Sequence, residues 1–268
     1  MRSSASVSSA ARAFCASLEI PTLRAPSVDA FLAARRAHPE SPLLVTGALD
    51  AWALRGWGPE KLRSLDVEVP LEMSRGGADY RDAFRDDLSG GKTHAHRELG
   101  ARAFVAGHLS SLRGFVDTFL APDAKTYDTV AYLAQHDLLA QCRALAAAAP
   151  WRATFGDVVR AGPRARAGLE PVVSAWVAPR GVSTPLHFDR HPNLLVHLVG
   201  AKRVRLWPPG AGLPRHAAPA DNTSPLDARD VPGALAADLA PGDVLFVPEG
   251  WWHFVETPRT SISISIWY

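Results

Sequence analysis

Apolar and polar residues alternate without a break near the end of the chain. Over residues 261–266, serine and isoleucine take every second position. This is the period of a β-strand, whose side chains point to opposite faces in turn. The pattern predicts a strand with isoleucine on a packed face. Its serine face would line a cavity where bulk must be avoided, or face solvent, and the pattern fits both.

The rest of the chain divides into two regions that differ in their pattern of apolar, proline and glycine residues. From residue 171 onward, short apolar runs are separated by Pro and Gly, which predicts a β-rich region. Upstream, the capping residue Ser27 predicts the start of a helix, residues 42–47 predict a strand ending in a turn, and Gly58-Pro59 predicts the start of a second helix. Residues 109–150 show a helical pattern that ends in alanines before Pro150, which cannot continue a helix.

A polar, glycine-rich stretch over residues 74–100 predicts a long loop. It contains His94 and His96, which form a second candidate metal pair, although a solvated loop is the favoured interpretation. Residues 1–19 are predicted to be a flexible tail. Their Ser/Ala-rich, acid-free start also fits a transit peptide, but the Ala-, Arg-, Gly- and Pro-rich composition favours a bacterial protein instead.

Composition narrows the class of protein. With 268 residues, 47% of them hydrophobic, the chain can bury a sizeable core. The formal net charge of +2 gives no indication of a nucleic-acid partner. Two cysteines are too few for a disulfide framework, which favours a reducing, cytoplasmic location. No apolar run approaches the roughly 18 residues of a membrane span.

The candidate chemistry begins at His187-Phe188-Asp189. In a strand, His187 and Asp189 project to the same side, so an imidazole and a carboxylate would face one cavity. Two histidines and one carboxylate form the facial triad of non-haem Fe(II) oxygenases. His253, after two tryptophans on a predicted core strand, is the candidate third ligand. Alone it would be interpreted as a hydrogen-bonded core histidine.

Lys202 is the candidate cation for an anionic cosubstrate. After a predicted turn at Gly200-Ala201, strand alternation puts Lys202 on the apolar face with Val204, whereas Arg203 lies on the opposite face. A buried lysine needs an anionic partner, which a bound carboxylate would supply. An internal acidic partner, or a side chain that reaches outward to water, are the alternatives. Thr184 could add a hydroxyl.

Together these residues resemble the JmjC / cupin-8 family of Fe(II)- and 2-oxoglutarate-dependent oxygenases. The similarity spans about residues 20–268, and it is carried by residues 132–137, 176–189, 193–204, 241–253 and 261–268.

The resemblance implies a fold that is mainly β with flanking helices. Its core is a double-stranded β-helix, the jelly-roll of cupins, over about residues 171–268, preceded by an N-terminal α/β segment. Residues 20–268 are then a single domain.

The resemblance also implies roles for the site residues. Fe(II) would be bound by His187, Asp189 and His253, and 2-oxoglutarate by Lys202 and Thr184. Tyr132 and Ser265 would be further cosubstrate contacts, and Asn193 would lie near the metal and contact either a metal ligand or the cosubstrate. Two positions depart from part of the family, because His197 replaces a Gln of several members and Ser265 replaces an Asn of some. Either could alter cosubstrate orientation.

The leading functional hypothesis is hydroxylation by Fe(II), 2-oxoglutarate and O2 of a side chain in a protein or peptide. A small-molecule natural product, or less favourably a modified RNA base, is the next substrate class. Demethylation ranks lower, because the chain has no room for a chromatin-reading domain. The alternative class is a cupin-type protein that binds a metal or small molecule without oxidation. No nucleic-acid or membrane partner is expected, and a monomer is favoured over a homodimer.

Overall fold

A computed structural model describes residues 20–24, 27–49, 52–53, 57–75, 108–120, 129–218 and 220–268. The predicted tail, and most of the predicted loop at residues 74–100 with His94 and His96, lie outside these ranges. The division into a tail and one domain therefore stays a prediction.

The described residues form eleven strands and seven α-helices. The strands are β1 Thr22–Arg24, β2 Leu43–Thr46, β3 Glu68–Arg75, β4 His108–Ser111, β5 Thr129–His136, β6 Val172–Ala178, β7 His187–Phe188, β8 Asn193–Trp207, β9 Leu235–Leu239, β10 Val244–Val247 and β11 Trp252–Trp267. The helices are α1 Val28–Ala37, α2 Pro59–Arg63, α3 Leu112–Phe115, α4 Leu138–Gln141, α5 Arg143–Ala148, α6 Trp151–Arg160 and α7 Pro163–Arg166. A π-helical turn, Val116–Leu120, follows α3, and a 3-10 turn, Pro209–Ala211, follows β8.

Two long antiparallel strands, β8 and β11, hold the sheet layers together. The first half of β8 pairs with the second half of β11, and β10 and β6 flank this pair. The second half of β8 pairs with the first half of β11, and β9 and β7 flank that pair. Register shifts interrupt β11 between Glu256 and Ser263. A long strand pair shared by two layers is the arrangement of a jelly-roll, so the predicted fold class is confirmed.

The serine and isoleucine faces of β11 are both buried. Ile262, Ile264 and Ile266 are fully enclosed in the main core, where residues of α6 such as Phe155 and Val158 pack. The serines on the opposite face are also buried, at 2% exposure or less. The serine face is therefore not exposed to solvent, and one of its members, Ser265, lines a cavity.

The predicted helical region over residues 109–150 is wrong at its start, where residues 109–111 belong to β4, and in its middle. Residues 129–136 form β5, which pairs with β3 and β6. Ala131 and Leu133 enter the main core, while Tyr132 faces a cavity on the other side. A strand buried on both faces loses its polar alternation, and its apolar run cannot be told from a helix by periodicity. The helix before Pro150 is confirmed as α5.

The predicted turn at Gly200-Ala201 is also wrong, because β8 runs through it. Gly200 has φ of +83°, and a Cβ there would lie 1.9 Å from the Thr260 oxygen. The glycine lets the strand bend against β11 and pass into the second layer without reversing direction. Upstream, Ser27 caps α1 by accepting a hydrogen bond from the Ala30 N–H at 3.1 Å, as predicted.

Candidate active site

A cavity lies between the two layers of the barrel. All eight residues predicted as metal or cosubstrate ligands line it. They are Tyr132, Thr184, His187, Asp189, Asn193, Lys202, His253 and Ser265. The remaining lining residues are Gln135, Trp176, Leu195, Val204, Val247, Val255 and Trp267.

The three candidate metal ligands meet at one end of this cavity. His187 on β7 pairs directly with His253 on β11, and their ring centroids are 4.1 Å apart. Asp189 lies just beyond β7, with Oδ2 3.7 Å from His253 Nε2. One ligand atom from each of the three residues lies within 4.8 Å of the others. Phe188 points away and packs against Trp252, as the strand period predicts.

Both imidazoles have the same hydrogen-bonding pattern at Nδ1. Nδ1 of His187 is 2.8 Å from the Pro185 carbonyl oxygen, and Nδ1 of His253 is 2.9 Å from that of Trp251. A carbonyl oxygen only accepts, so each Nδ1 carries the proton and donates it. In a neutral ring this leaves the lone pair on Nε2, which is the arrangement of a metal-binding histidine.

The carboxylate of Asp189 is held by two donors. Trp267 Nε1 donates to Oδ2 at 2.8 Å, and Asn193 Nδ2 donates to the same oxygen at 3.3 Å. Burial by itself raises the pKa of Asp189. His253, His187 and the two hydrogen bonds outweigh it, so the pKa is lowered. Asp189 is therefore ionised, and a cluster of two imidazoles and one carboxylate fits Fe(II).

Lys202 extends into the same cavity from β8. Its residue is 3% exposed, and burial lowers its pKa to about 8. Within the described part of the chain, no carboxylate oxygen lies within ion-pair distance of its ammonium. Thr184 Oγ1 accepts a hydrogen bond from the Val255 N–H at 3.0 Å, which leaves its O–H to donate. A cation and a hydroxyl donor thus line the cavity and fit a carboxylate.

The polar network continues from Asn193 to the cavity wall. Asn193 Nδ2 is 3.3 Å from Ser265 Oγ, which also accepts from Trp176 Nε1 at 3.0 Å. Asn193 Oδ1 is buried and has no hydrogen-bond partner among the described residues. Tyr132 stacks on Trp176 with centroids 5.8 Å apart, and burial raises the pKa of its phenol well above the usual value. Tyr132 is therefore a neutral hydroxyl group.

His197 does not line this cavity. It is fully buried, and its Nδ1 is 2.9 Å from Ser263 Oγ. Burial, and next the charge of Lys202, lower its pKa to about 4. His197 is therefore neutral, and any effect on the cosubstrate passes through its neighbours.

Two tryptophans of the site were not predicted from the sequence, although both lie in the segments that carry the family resemblance. Trp267 donates to Asp189, and Trp176 packs against it edge-on with centroids 6.1 Å apart. Strand alternation could have identified Trp267, because it places this residue on the same strand face as Ser265. Gln135 was missed as well, and its φ of +49° at the cavity mouth has no sequence signal.

Comparison with known proteins gives a family model and several relatives. The model of a family described as a Cupin-like domain matches residues 29–268. Lysine-specific demethylase 8 of Xenopus tropicalis is 27% identical, over 93% of this chain and 52% of the relative. Jumonji C domain-containing protein 5 of Drosophila melanogaster is 28% identical, over 93% and 60%. Lysine-specific demethylase 8 of Danio rerio is 26% identical, over 93% and 58%.

These relatives are longer proteins. The chain spans between about half and three fifths of their length. They are animal proteins, so the bacterial source stays a prediction. No helix in the described part of the chain is long and apolar enough to cross a membrane, and the cytoplasmic location also stays a prediction.

Proposed function

Because this chain belongs to the Cupin-like domain family, with JmjC proteins among its relatives, we propose that it is an Fe(II)- and 2-oxoglutarate-dependent dioxygenase. Its proposed reaction is hydroxylation of a side chain in a protein or peptide. The observation that carries this proposal is that one cavity is lined by a His-Asp-His cluster and by a buried lysine that has no carboxylate partner among the described residues.

The predicted cofactors follow from family membership: Fe(II), with 2-oxoglutarate as cosubstrate and O2 as oxidant. In this proposal His187, Asp189 and His253 hold the iron through Nε2, a carboxylate oxygen and Nε2. When bound, iron with 2-oxoglutarate and O2 supplies oxidation of a C–H bond, with succinate and CO2 as by-products. That chemistry belongs to the cofactor, and the protein supplies binding, orientation and shielding.

The chain's own residues would position the cosubstrate. Lys202 would pair with its far carboxylate, because the ammonium is buried and needs an anion. Thr184 and the neutral Tyr132 would donate hydroxyl hydrogen bonds. Leu195, Val204, Val247 and Val255 give the cavity an apolar wall. Such a wall excludes water and strengthens the ionic contact with Lys202.

The substrate class is proposed from the relatives and from charge. Two of the relatives bear the name lysine-specific demethylase, which favours a protein substrate. The near-neutral net charge of +2 gives no support for RNA. A small-molecule natural product remains the alternative substrate, and a cupin-type binding protein without oxidation is the alternative class. The monomer stays a prediction.

Demethylation is the second candidate, because of those same names. It uses the same oxidation at an N-methyl carbon, and the hydroxymethyl product then releases formaldehyde. Mass spectrometry of peptide products separates the two outcomes. Hydroxylation adds one oxygen atom to the peptide, whereas demethylation removes a methyl group and yields formaldehyde.

The test of the oxygenase proposal is succinate formation. Purified full chain with Fe(II), ascorbate and 2-oxoglutarate should release succinate slowly even without a substrate. His187→Ala should abolish both this release and tight iron binding. If the wild-type protein forms no succinate and binds no 2-oxoglutarate by calorimetry, the chain is a binding protein and the proposal is wrong.

The cosubstrate site is tested separately with two neighbouring cations of β8. Lys202→Ala should weaken 2-oxoglutarate binding by about 30-fold or more, since losing one member of a buried charge pair costs about 2 kcal/mol or more. Arg203→Ala is the matched control. Arg203 lies on the outer face, half-exposed and paired with Asp238 at 2.7 Å, so its removal should leave the affinity unchanged.

A further inference from the structure

The hydrogen bond from Trp267 to Asp189 has no role in the function proposed so far. Trp267 Nε1 lies 2.8 Å from Asp189 Oδ2, which is shorter than the 3.3 Å contact from Asn193. Hydrogen bonds to an ionised carboxylate are among the stronger ones in proteins. The indole is therefore the principal donor to this side chain among the described residues.

Asp189 depends on such a donor because its own element does not fix it. Strand β7 ends at Phe188, so Asp189 follows the last paired residue. Its backbone oxygen accepts from the Gly250 N–H at 2.9 Å, which anchors the main chain. The side-chain torsions are left to the groups that contact the carboxylate.

Trp267, in contrast, is held rigidly. It is the last residue of β11 and pairs with Asn193 of β8 and Val172 of β6. The residue is 9% exposed, and its ring packs against Trp176. Trp176 is itself fixed by its hydrogen bond to Ser265. The indole N–H is thus a preorganised donor on a rigid element.

We propose that Trp267 is a positioning residue for the metal centre. Its indole N–H sets the rotation of the Asp189 carboxylate, so that the carboxylate is turned toward His253 and His187 before the metal arrives. This inference rests on the proposed function, since it takes His187, Asp189 and His253 as the metal ligands. It assigns a role outside that ligand set to a residue that does not itself touch the metal.

The test uses Trp267→Phe, which removes the N–H and keeps an aromatic ring. The probe is Co(II) alone, titrated into metal-free protein by calorimetry and by the absorption spectrum of the bound ion. Loss of a partner that orients a metal ligand typically costs about 10- to 100-fold in affinity. We expect a loss of that size and an altered spectrum, because the carboxylate becomes free to rotate.

Trp207→Phe is the matched control. Trp207 is also a buried tryptophan at the end of a long strand, and its Nε1 donates to the Pro232 oxygen at 3.0 Å. It does not line the cavity, so its loss should leave Co(II) affinity at the wild-type value. Wild-type affinity in Trp267→Phe, or an equal loss in Trp207→Phe, would refute the role of Trp267. If wild-type protein binds no Co(II), the metal site and the proposed function fail as well.

A second measurement covers the case in which Trp267→Phe does not fold. In ¹⁵N-labelled protein, the indole proton of Trp267 should move upfield and exchange faster with solvent in Asp189→Ala, because its acceptor is gone. The indole proton of Trp207 should be unchanged. An unmoved Trp267 resonance would show that no such hydrogen bond exists.

Discussion

Lys202 lies in a buried environment that disfavours the charged form of its ammonium group. Its ammonium is removed from water and has no carboxylate partner within the described ranges, which is why its pKa falls to about 8. A bound carboxylate would restore the preference for the charged form. The proposed cosubstrate therefore both needs the charge of Lys202 and stabilises it.

This linkage predicts a pH dependence of cosubstrate affinity. Below about pH 7, Lys202 is charged with or without ligand, so the affinity for 2-oxoglutarate is flat. Above pH 8 the free protein loses the proton and binding must take one up, so affinity falls by up to about tenfold per pH unit. Calorimetry with Mn(II) in place of iron, in two buffers of different ionisation enthalpy, should show uptake of about one proton at pH 9.

The control for this prediction is Lys202→Arg, since a guanidinium stays charged over the whole range. Its affinity, whatever its absolute value, should not fall between pH 7 and 9. A wild-type affinity that is flat to pH 9, or one that falls equally in Lys202→Arg, would contradict the assignment.

The sequence was informative about which residues face the cavity and uninformative about how they are held. Strand alternation placed Lys202 and Asp189 on the correct side, because a period of two depends only on local backbone geometry. The indole N–H of Trp267 meets Asp189 across 78 positions of chain. That contact depends on where β11 ends relative to the β7 turn, which no local pattern encodes.

At the scale of elements, the bend of β8 brings Lys202 into the same cavity as the three candidate metal ligands. The first half of the strand contributes Asn193 and Leu195 to the cavity, and the second half contributes Lys202 and Val204. The strand continues through Gly200 because this residue has no side chain to collide with the backbone of Thr260, which lies close to it on β11. The sequence predicted a turn at this glycine, because a glycine can indicate either a bend within a strand or a turn that reverses the chain.

Gly200→Ala should therefore be strongly destabilising. The new Cβ would lie 1.9 Å from a backbone oxygen that cannot move cheaply, at φ of +83°. We expect a loss well beyond the roughly 1–2 kcal/mol that left-handed backbone alone costs a non-glycine residue. The free energy of unfolding in urea measures it.

Gly212→Ala is the matched control for the Gly200→Ala prediction. Gly212 has φ of +68°, and nothing lies within 4 Å of its Cβ position. It should show only the backbone cost. If the two variants lose equal stability, the close crossing of β8 and β11 is not what requires a glycine at position 200.

At the scale of the whole molecule, the N-terminal elements are joined to the barrel near the end of β11. Arg35 of α1 donates from Nη1 to the Tyr268 hydroxyl at 2.6 Å and lies 3.7 Å over the Phe246 ring. Strands β1 and β2 extend the sheet layer that contains β10, because β2 pairs with β10 and β1 pairs with β2. The jelly-roll class was predictable from the motifs of its core. This attachment was not, because it joins residues 233 positions apart.

Residues that are far apart in the chain form the walls of the cavity, so molecules bound in it should stabilise the whole fold. The lining residues run from Tyr132 to Trp267 and come from β5, β6, β7, β8, β10 and β11. A site assembled this way does not survive unfolding, so ligand binding adds to the free energy of unfolding. With Mn(II) saturating and 2-oxoglutarate at 100 times its dissociation constant, the cosubstrate should add about 2.7 kcal/mol. Urea titration with and without ligands measures it. Asp189→Ala should lose this response to 2-oxoglutarate together with Mn(II) binding, and an undiminished response there would mean that the cosubstrate binds without the metal centre.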